Sequence, residues 1–127
     1  MEFVKGISEE NLSTSDSVWL GTDSRKIFLY AAMEPEKQDQ IAQTVVPAII
    51  TQIKYHCDCV FVALGNGNVL IFHRDMTGAW SLKDPITINL GTDPVSCLLP
   101  INMTVYAACG KKVWVISCVT GEVQKSF

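Results

Sequence analysis

No apolar run in this sequence approaches the ~20 residues that a membrane-spanning helix needs. Positive charge is scarce too: 10 lysines and arginines stand against 13 aspartates and glutamates, for a net charge of −3. The pair Lys111-Lys112 is too short to form a nucleic-acid patch. The N-terminal stretch MEFVKGISEENLSTSDS lacks the apolar centre of a secretory signal. No segment carries an amphipathic helical pattern of the usual length, and EPEKQDQIAQT, residues 34–44, reads as a connecting loop. Cysteine is present in an odd number, five, at positions 57, 59, 97, 109 and 118. Without a signal peptide, an odd count points to reduced thiols in the cytosol. The sequons at Asn11 and Asn102 then have no use, since glycosylation requires secretion. A hydrophobic fraction of 48% excludes a disordered tail.

What the chain does contain is short strands. VFVAL and VLIF, residues 60–64 and 69–72, are rich in β-branched and aromatic residues. They flank Gly65-Asn66-Gly67-Asn68. A dinucleotide fingerprint would need glycine at position 70, where Leu70 stands, and no Gly-Lys-Ser/Thr of a P-loop follows. Asn66-Gly67 therefore reads as a hairpin turn, with both central residues at the positive φ of type I′.

The hairpin recurs. SVWLGTDSRKIFLYA from Ser17, CVFVALGNGNVLIFHR from Cys59 and TVYAACGKKVWVISC from Thr104 share one layout. Each has an apolar strand opening on valine and an aromatic residue, then a polar turn, then a second apolar strand. Val18, Val60 and Val105 correspond at spacings of 42 and 45 residues, followed by Trp19, Phe61 and Tyr106. A period near 40–45 residues built from four short strands is the signature of a β-propeller blade.

The middle blade reads as residues 48–55, 60–64 and 69–73, with 80–82 or 86–90 outermost. The next reads as 95–99, 105–109, 113–118 and 122–127, with Thr120-Gly121 as its last turn. The first blade is represented by its two central strands. The expectation is an all-β, WD40-like partial β-propeller of about two and a third four-stranded antiparallel blades over residues 17–127, after a polar segment 1–16. Too few blades to close a ring make the chain read as part of a larger protein.

Candidate chemistry is thin. His56-Cys57-Asp58-Cys59 has one residue between its cysteines and no second pair, unlike structural zinc motifs. A thiol or metal enzyme using His56, Cys57 and Cys59, with His56 or His73 as base, is the alternative. The plainer reading treats the cysteines as small buried hydrophobes. Asp23, Asp58, Asp75, Asp84 and Asp93 all fall in expected turns, where aspartate caps the backbone. Trp19, Trp80 and Trp114 suit packing between blades. No catalytic, cofactor-binding or metal residue is assigned.

The string from Val60 to Ile101, followed by VYAACGKKVWVIS, resembles the C-terminal propeller-like region of Rho guanine nucleotide exchange factors of the type 10 and 17 subfamily. The matching elements are VFVALGNGNV, RDMTGAW, Leu90-Gly91 with Pro94-Val95, and Ala107-Ala108-Cys109-Gly110, with Trp19-Leu20-Gly21 in the preceding blade. A second family, the JNK-interacting scaffold proteins, is similar at Ile71-Phe72-His73-Arg74, Gly78, Trp80 and Lys125-Ser126-Phe127. Pro94-Val95 after Leu90-Gly91 suits the exchange-factor pattern better. The resemblance implies a non-catalytic, cytoplasmic segment that meets protein partners. The Rho GTPase would be engaged by another part of the parent protein. Neither nucleic acid nor a membrane span is implied.

Overall fold

The computed structural model describes residues 2–4, 17–31 and 40–127. Every regular element among them is a β-strand. Sheet one holds β1 (Glu2–Val4), β2 (Ser17–Gly21), β3 (Lys26–Ala31) and β4 (Gln40–Val45). Sheet two holds β5 (Ile50–His56), β6 (Cys59–Leu64), β7 (Asn68–Arg74) and β8 (Trp80–Asn89). Sheet three holds β9 (Val95–Ile101), β10 (Thr104–Cys109), β11 (Lys112–Ser117) and β12 (Val123–Ser126). All pairings are antiparallel and in chain order, so each sheet is a simple meander.

The all-β blade architecture is as the sequence leads one to expect, but the count is three four-stranded blades rather than two and a third. Glu2–Val4 pairs with β2 inside what the sequence reads as a polar lead-in, and Gln40–Val45 pairs with β3 inside the expected loop. Both strands are too short or too polar to show a period of two. The rest of the polar lead-in, the Asn11 sequon and residues 34–39 lie outside the described residues.

The blades stack because their faces are apolar on both sides. In β6, Val60, Val62 and Leu64 enter one core cluster with Trp19, Ile27 and Leu29 of sheet one. The alternate residues Phe61 and Ala63 enter a second cluster with Leu98, Val105 and Ala107 of sheet three. Alternation along a strand thus sends one set of side chains to each neighbour. The repeat columns obey the same geometry. Trp19, Phe61 and Tyr106 are each the third residue of their strands, and the first two are fully buried against the following blade. Tyr106 is half-buried against Phe127, on a face that also carries exposed Leu99 and Ile101.

The innermost strands β1, β5 and β9 are pinned to one another by side chains. The Tyr55 amide of β5 donates to Glu2 Oε2 of β1 at 2.7 Å. The Leu98 amide of β9 donates to Gln52 Oε1 of β5 at 2.9 Å, and the Thr51 hydroxyl donates to the Val95 carbonyl. β8 runs through 80–82 and on to Asn89, so the two candidate outer stretches belong to one strand. Asp84 takes φ 52° within it, and the pairing with β7 shifts between Ile71 and His73.

The Gly65–Gly67 turn differs from expectation. Ala63 pairs with Val69, and of the turn residues only Gly67 has a positive φ, 88°. The connection is thus of the three-residue kind, with glycine in the left-handed position, and not type I′. Its position explains the choice. The Leu90 amide donates to the Gly67 carbonyl at 2.8 Å, and a Cβ on Gly67 would sit 2.0 Å from the Gly91 carbonyl oxygen. The turn is docked on the link to the next blade.

A prediction separates the two turn types. Gly67→Val should cost roughly 2–4 kcal/mol in chemical denaturation, from both φ and backbone overlap. Asn66→Ala should cost no more than about 1 kcal/mol, the worth of its side-chain acceptance of the Asn68 amide. A large loss for Asn66→Ala would restore the type I′ assignment.

Candidate functional site

Antiparallel meanders put alternate turns at opposite ends of a blade. At one end lie Thr22–Arg25, the link into β5, Gly65–Gly67 and Gly110-Lys111. This end carries a cavity of about 300 Å³ lined by Gly21, Thr22, Asp23 and Ile49 to Ile53. Asp23 is exposed there and no second charged group lines the space with it. Its other polar side chains are engaged in holding the fold, Thr51 and Gln52 with β9 and Thr22 with the Lys26 carbonyl.

The other end gathers the turns β5–β6, β7–β8, β9–β10 and β11–β12. The β5–β6 turn is a true two-residue hairpin, because His56 pairs with Cys59 and both Cys57 and Asp58 have positive φ, 51° and 57°. These are the φ values of type I′, taken here by residues other than the favoured Asn-Gly. Asp58 is tolerated in this region better than cysteine is.

Asp58 anchors a compact cluster. The Arg74 Nε donates to Asp58 Oδ1 at 2.9 Å, and Arg74 Nη1 donates to the Gly78 carbonyl at 3.0 Å. The guanidinium lies 4.3 Å from the Trp80 ring centroid. Trp80 in turn meets Trp19 edge-on at 5.3 Å, and Trp19 meets Phe72 at 5.7 Å. The Tyr55 hydroxyl donates to Asp58 Oδ1 at 3.3 Å. Burial, with the Asp58 charge behind it, pushes the Tyr55 hydroxyl above its usual range. The arrangement fastens the outer strand to the first blade, and Trp19 and Trp80 serve the packing role the sequence suggests.

Asp75 caps its own turn. Its Oδ1 accepts from the Thr77 hydroxyl and amide and from the Ala79 amide. The Thr77 hydroxyl and then the Thr77 amide hold its carboxyl below the usual carboxylate range. The Asp93 carbonyl accepts from the Cys109 thiol at 3.2 Å.

The thiols divide by position. All five are free. Cys109 is buried as expected, but Cys97 is exposed. Ordinary alternation with buried Leu98 puts Cys97 on the open face of β9 with Leu99 and Ile101, and the pairing shift beyond it lets Val95 turn inward instead. Cys118 is half-buried in the turn after β11 rather than on the strand. Desolvation and then the Asp58 charge raise the Cys59 thiol, and desolvation raises Cys109. Desolvation, then Cys57 and Cys59, push Cys118 up to about 12. These three are thiols and not thiolates at neutral pH, the opposite of an activated nucleophile.

His56 and Cys57 are brought together, but their companion is Cys118 and not Cys59. Among the described residues, His56, Cys57 and Cys118 each place a ligand atom within 4.8 Å of the others. His56 Nε2 lies 2.5 Å from the Asn102 carbonyl, and Cys57 Sγ lies 3.6 Å from the same oxygen. Cys57 Sγ is 3.9 Å from Met103 Sδ, and the Cys118 amide donates to the Met103 carbonyl at 2.9 Å. No spacing rule links residues 57 and 118; only stacking of sheets two and three does. His73 sits on β7 opposite Cys59 and Ser81 and takes no part.

Three stacked four-stranded meanders with linked innermost strands define a β-propeller segment. Residues 3–127 match the family model of the WD40 repeated domain, and the chain belongs to that family. It is 26% identical over 124 residues to a JNK-interacting protein of Caenorhabditis elegans, covering 96% of this chain and 10% of that protein. It is 26% identical over 133 residues to Rho guanine nucleotide exchange factor 17 of Homo sapiens, covering 98% of this chain and 6% of that protein. Both families that the motifs resemble are therefore relatives, and the chain spans a tenth or less of their length. The crystal structure of BBS1N in complex with ARL6DN shares the fold, with TM-score 0.67 and 20% identity over 99% of this chain and 38% of that one. No helix among the described residues is long and apolar enough to cross a membrane.

Two outcomes check the site. Asp58→Asn keeps a side chain that accepts a left-handed backbone but removes the charge facing Arg74, whose side chain is 6% exposed. It should cost about 1–2 kcal/mol in denaturation, more than a surface ion pair. Alkylation of the native chain at pH 8 should label Cys97 first, by exposure, with Cys118 and Cys109 far slower. The raised thiols also set a sign. An unfolded chain ionises them at the ordinary thiol pKa, whereas the folded chain resists until higher pH. Stability is therefore intact below about pH 8.5 and should fall as pH rises through the window up to about 12, read by urea midpoints at stepped pH.

Proposed function

We propose that this chain is a non-catalytic propeller segment of a Rho guanine nucleotide exchange factor, with a protein-interaction or regulatory role in Rho GTPase and actin cytoskeleton signalling in the cytoplasm. The observation that carries this reading is whole-chain similarity to Rho guanine nucleotide exchange factor 17, joined to Leu90-Gly91 and Pro94-Val95. That element forms the link between sheets two and three on which Gly67 is docked. The described residues are strands and turns, with rigid hairpin ends suited to presenting a surface to a protein partner. The Rho GTPase is engaged by other parts of the parent protein.

A second reading has a specific observation behind it. The similarity to the Caenorhabditis elegans JNK-interacting protein is of equal identity. On that reading the chain belongs to a kinase-pathway and motor-cargo scaffold. A helical exchange domain in the full reading frame supports the first, and long coiled coils support the second. The thiol-enzyme alternative is disfavoured by the elevated Cys59 and Cys118 thiols.

The chain alone should not accelerate fluorescent-nucleotide release from Rho, Rac or Cdc42-type proteins, even in excess. Acceleration above the intrinsic rate, by protein free of contaminating exchange factor, overturns the non-catalytic reading.

A further inference from the structure

The end of the stack opposite the cavity brings soft donors from two blades to one point. We propose that His56, Cys57 and Cys118 bind a thiophilic d10 metal ion, Zn²⁺ or Cu⁺, as a clasp between sheets two and three. Four observations support it. The three ligand atoms already lie within 4.8 Å of one another. In a tetrahedral site with metal–sulfur bonds of about 2.3 Å, neighbouring ligand atoms stand about 3.5–3.8 Å apart. Side-chain rotation, of the imidazole above all, is therefore needed to close the set.

The second observation is the histidine's partner. His56 Nε2 faces the Asn102 carbonyl at 2.5 Å, which fixes the N–H on Nε2 and leaves the lone pair on Nδ1. A ligating histidine ordinarily donates its other N–H to a carbonyl or carboxylate in this way. The third is the donor chemistry. Two thiols and an imidazole, with the Met103 thioether 3.9 Å from Cys57 Sγ, favour zinc or cuprous copper over magnesium or calcium. The neighbouring Asp58 is committed to Arg74 and Tyr55. The fourth is backbone conformation. Cys57 holds φ 51°, a region cysteine seldom takes, and such positions cluster at functional sites.

Binding is balanced by proton release. The Cys57 and Cys118 S–H bonds break, two metal–sulfur bonds form, and both protons pass to solvent. Zinc completes its shell with water, whereas cuprous copper takes the Met103 thioether.

The test uses the full chain, reduced and anaerobic, titrated separately with Zn²⁺ and with Cu⁺ against a competing chelator. One equivalent of either ion should bind, raise the thermal midpoint by several degrees and release about two protons. Cys57→Ser and Cys118→Ser should each weaken uptake at least tenfold, while Cys97→Ser leaves it unchanged. Met103→Leu should weaken Cu⁺ uptake and leave Zn²⁺ uptake unchanged, and Cu⁺ uptake untouched by that change would overturn the thioether's part in the clasp. If a serine variant fails to fold, Co²⁺ added to the unmodified chain gives an independent reading through a sulfur-to-cobalt charge-transfer band. Failure to bind either ion, no such band, or uptake that survives loss of Cys118 overturns the proposal. So does a Cys57–Cys118 disulfide as the pair's stable state, with no metal uptake after reduction.

Discussion

Sheet two has apolar side chains on both faces, and everything else follows from covering them. Val62 and Phe61 are adjacent in β6, both are fully buried, and they point into different cores. Removing either neighbouring blade would expose one of those cores to water. Truncating a buried aromatic such as Phe61 costs about 3–5 kcal/mol, a large part of a small domain's stability. The blades cannot be stable one at a time; they gain stability by stacking, as repeat architectures do.

Stacking leaves the innermost strands with a polar problem. β1, β5 and β9 converge edge-on, where a regular ladder between blades does not form. The chain answers with side chains: Glu2 receives the Tyr55 amide, and Gln52 receives the Leu98 amide. The two acceptors occupy different registers, since Glu2 pairs with Trp19 and Gln52 with Ala63. The same need is met at non-equivalent positions, so this part of the repeat leaves no trace in sequence spacing.

That difference marks what the sequence can reveal. The central hairpins were legible because continuous apolar strands broken by polar turns are a local pattern. The valine and aromatic columns were legible because each must face a particular neighbour. The short strands β1 and β4 carry too few apolar residues to announce themselves. Turn type is less legible: Asn66-Gly67 has the type I′ residues, yet only Gly67 takes a positive φ, docked where a Cβ would meet the Gly91 carbonyl. Cys57-Asp58 lacks those residues and adopts the turn because the His56–Cys59 pairing leaves only two residues to close it. The donor cluster was half legible. His56 and Cys57 are neighbours in sequence, but Cys118 arrives through the stacking of two sheets.

The same geometry separates what the fold conserves from what it displays. Side chains between blades must satisfy shape on both faces, so they carry the recurring valine and aromatic pattern. The β5–β6 turn at the blade end carries no such recurring pattern, and it is there that this chain departs from standard turn chemistry. The Arg74–Asp58–Trp80 cluster and the His56–Cys57–Cys118 group lie on opposite sides of one two-residue turn. Asp58 is held by Arg74 and Tyr55 of its own sheet, and Cys57 faces Asn102 and Met103 of the third. One strained hairpin thus links the packing of sheets one and two to the donor group between sheets two and three.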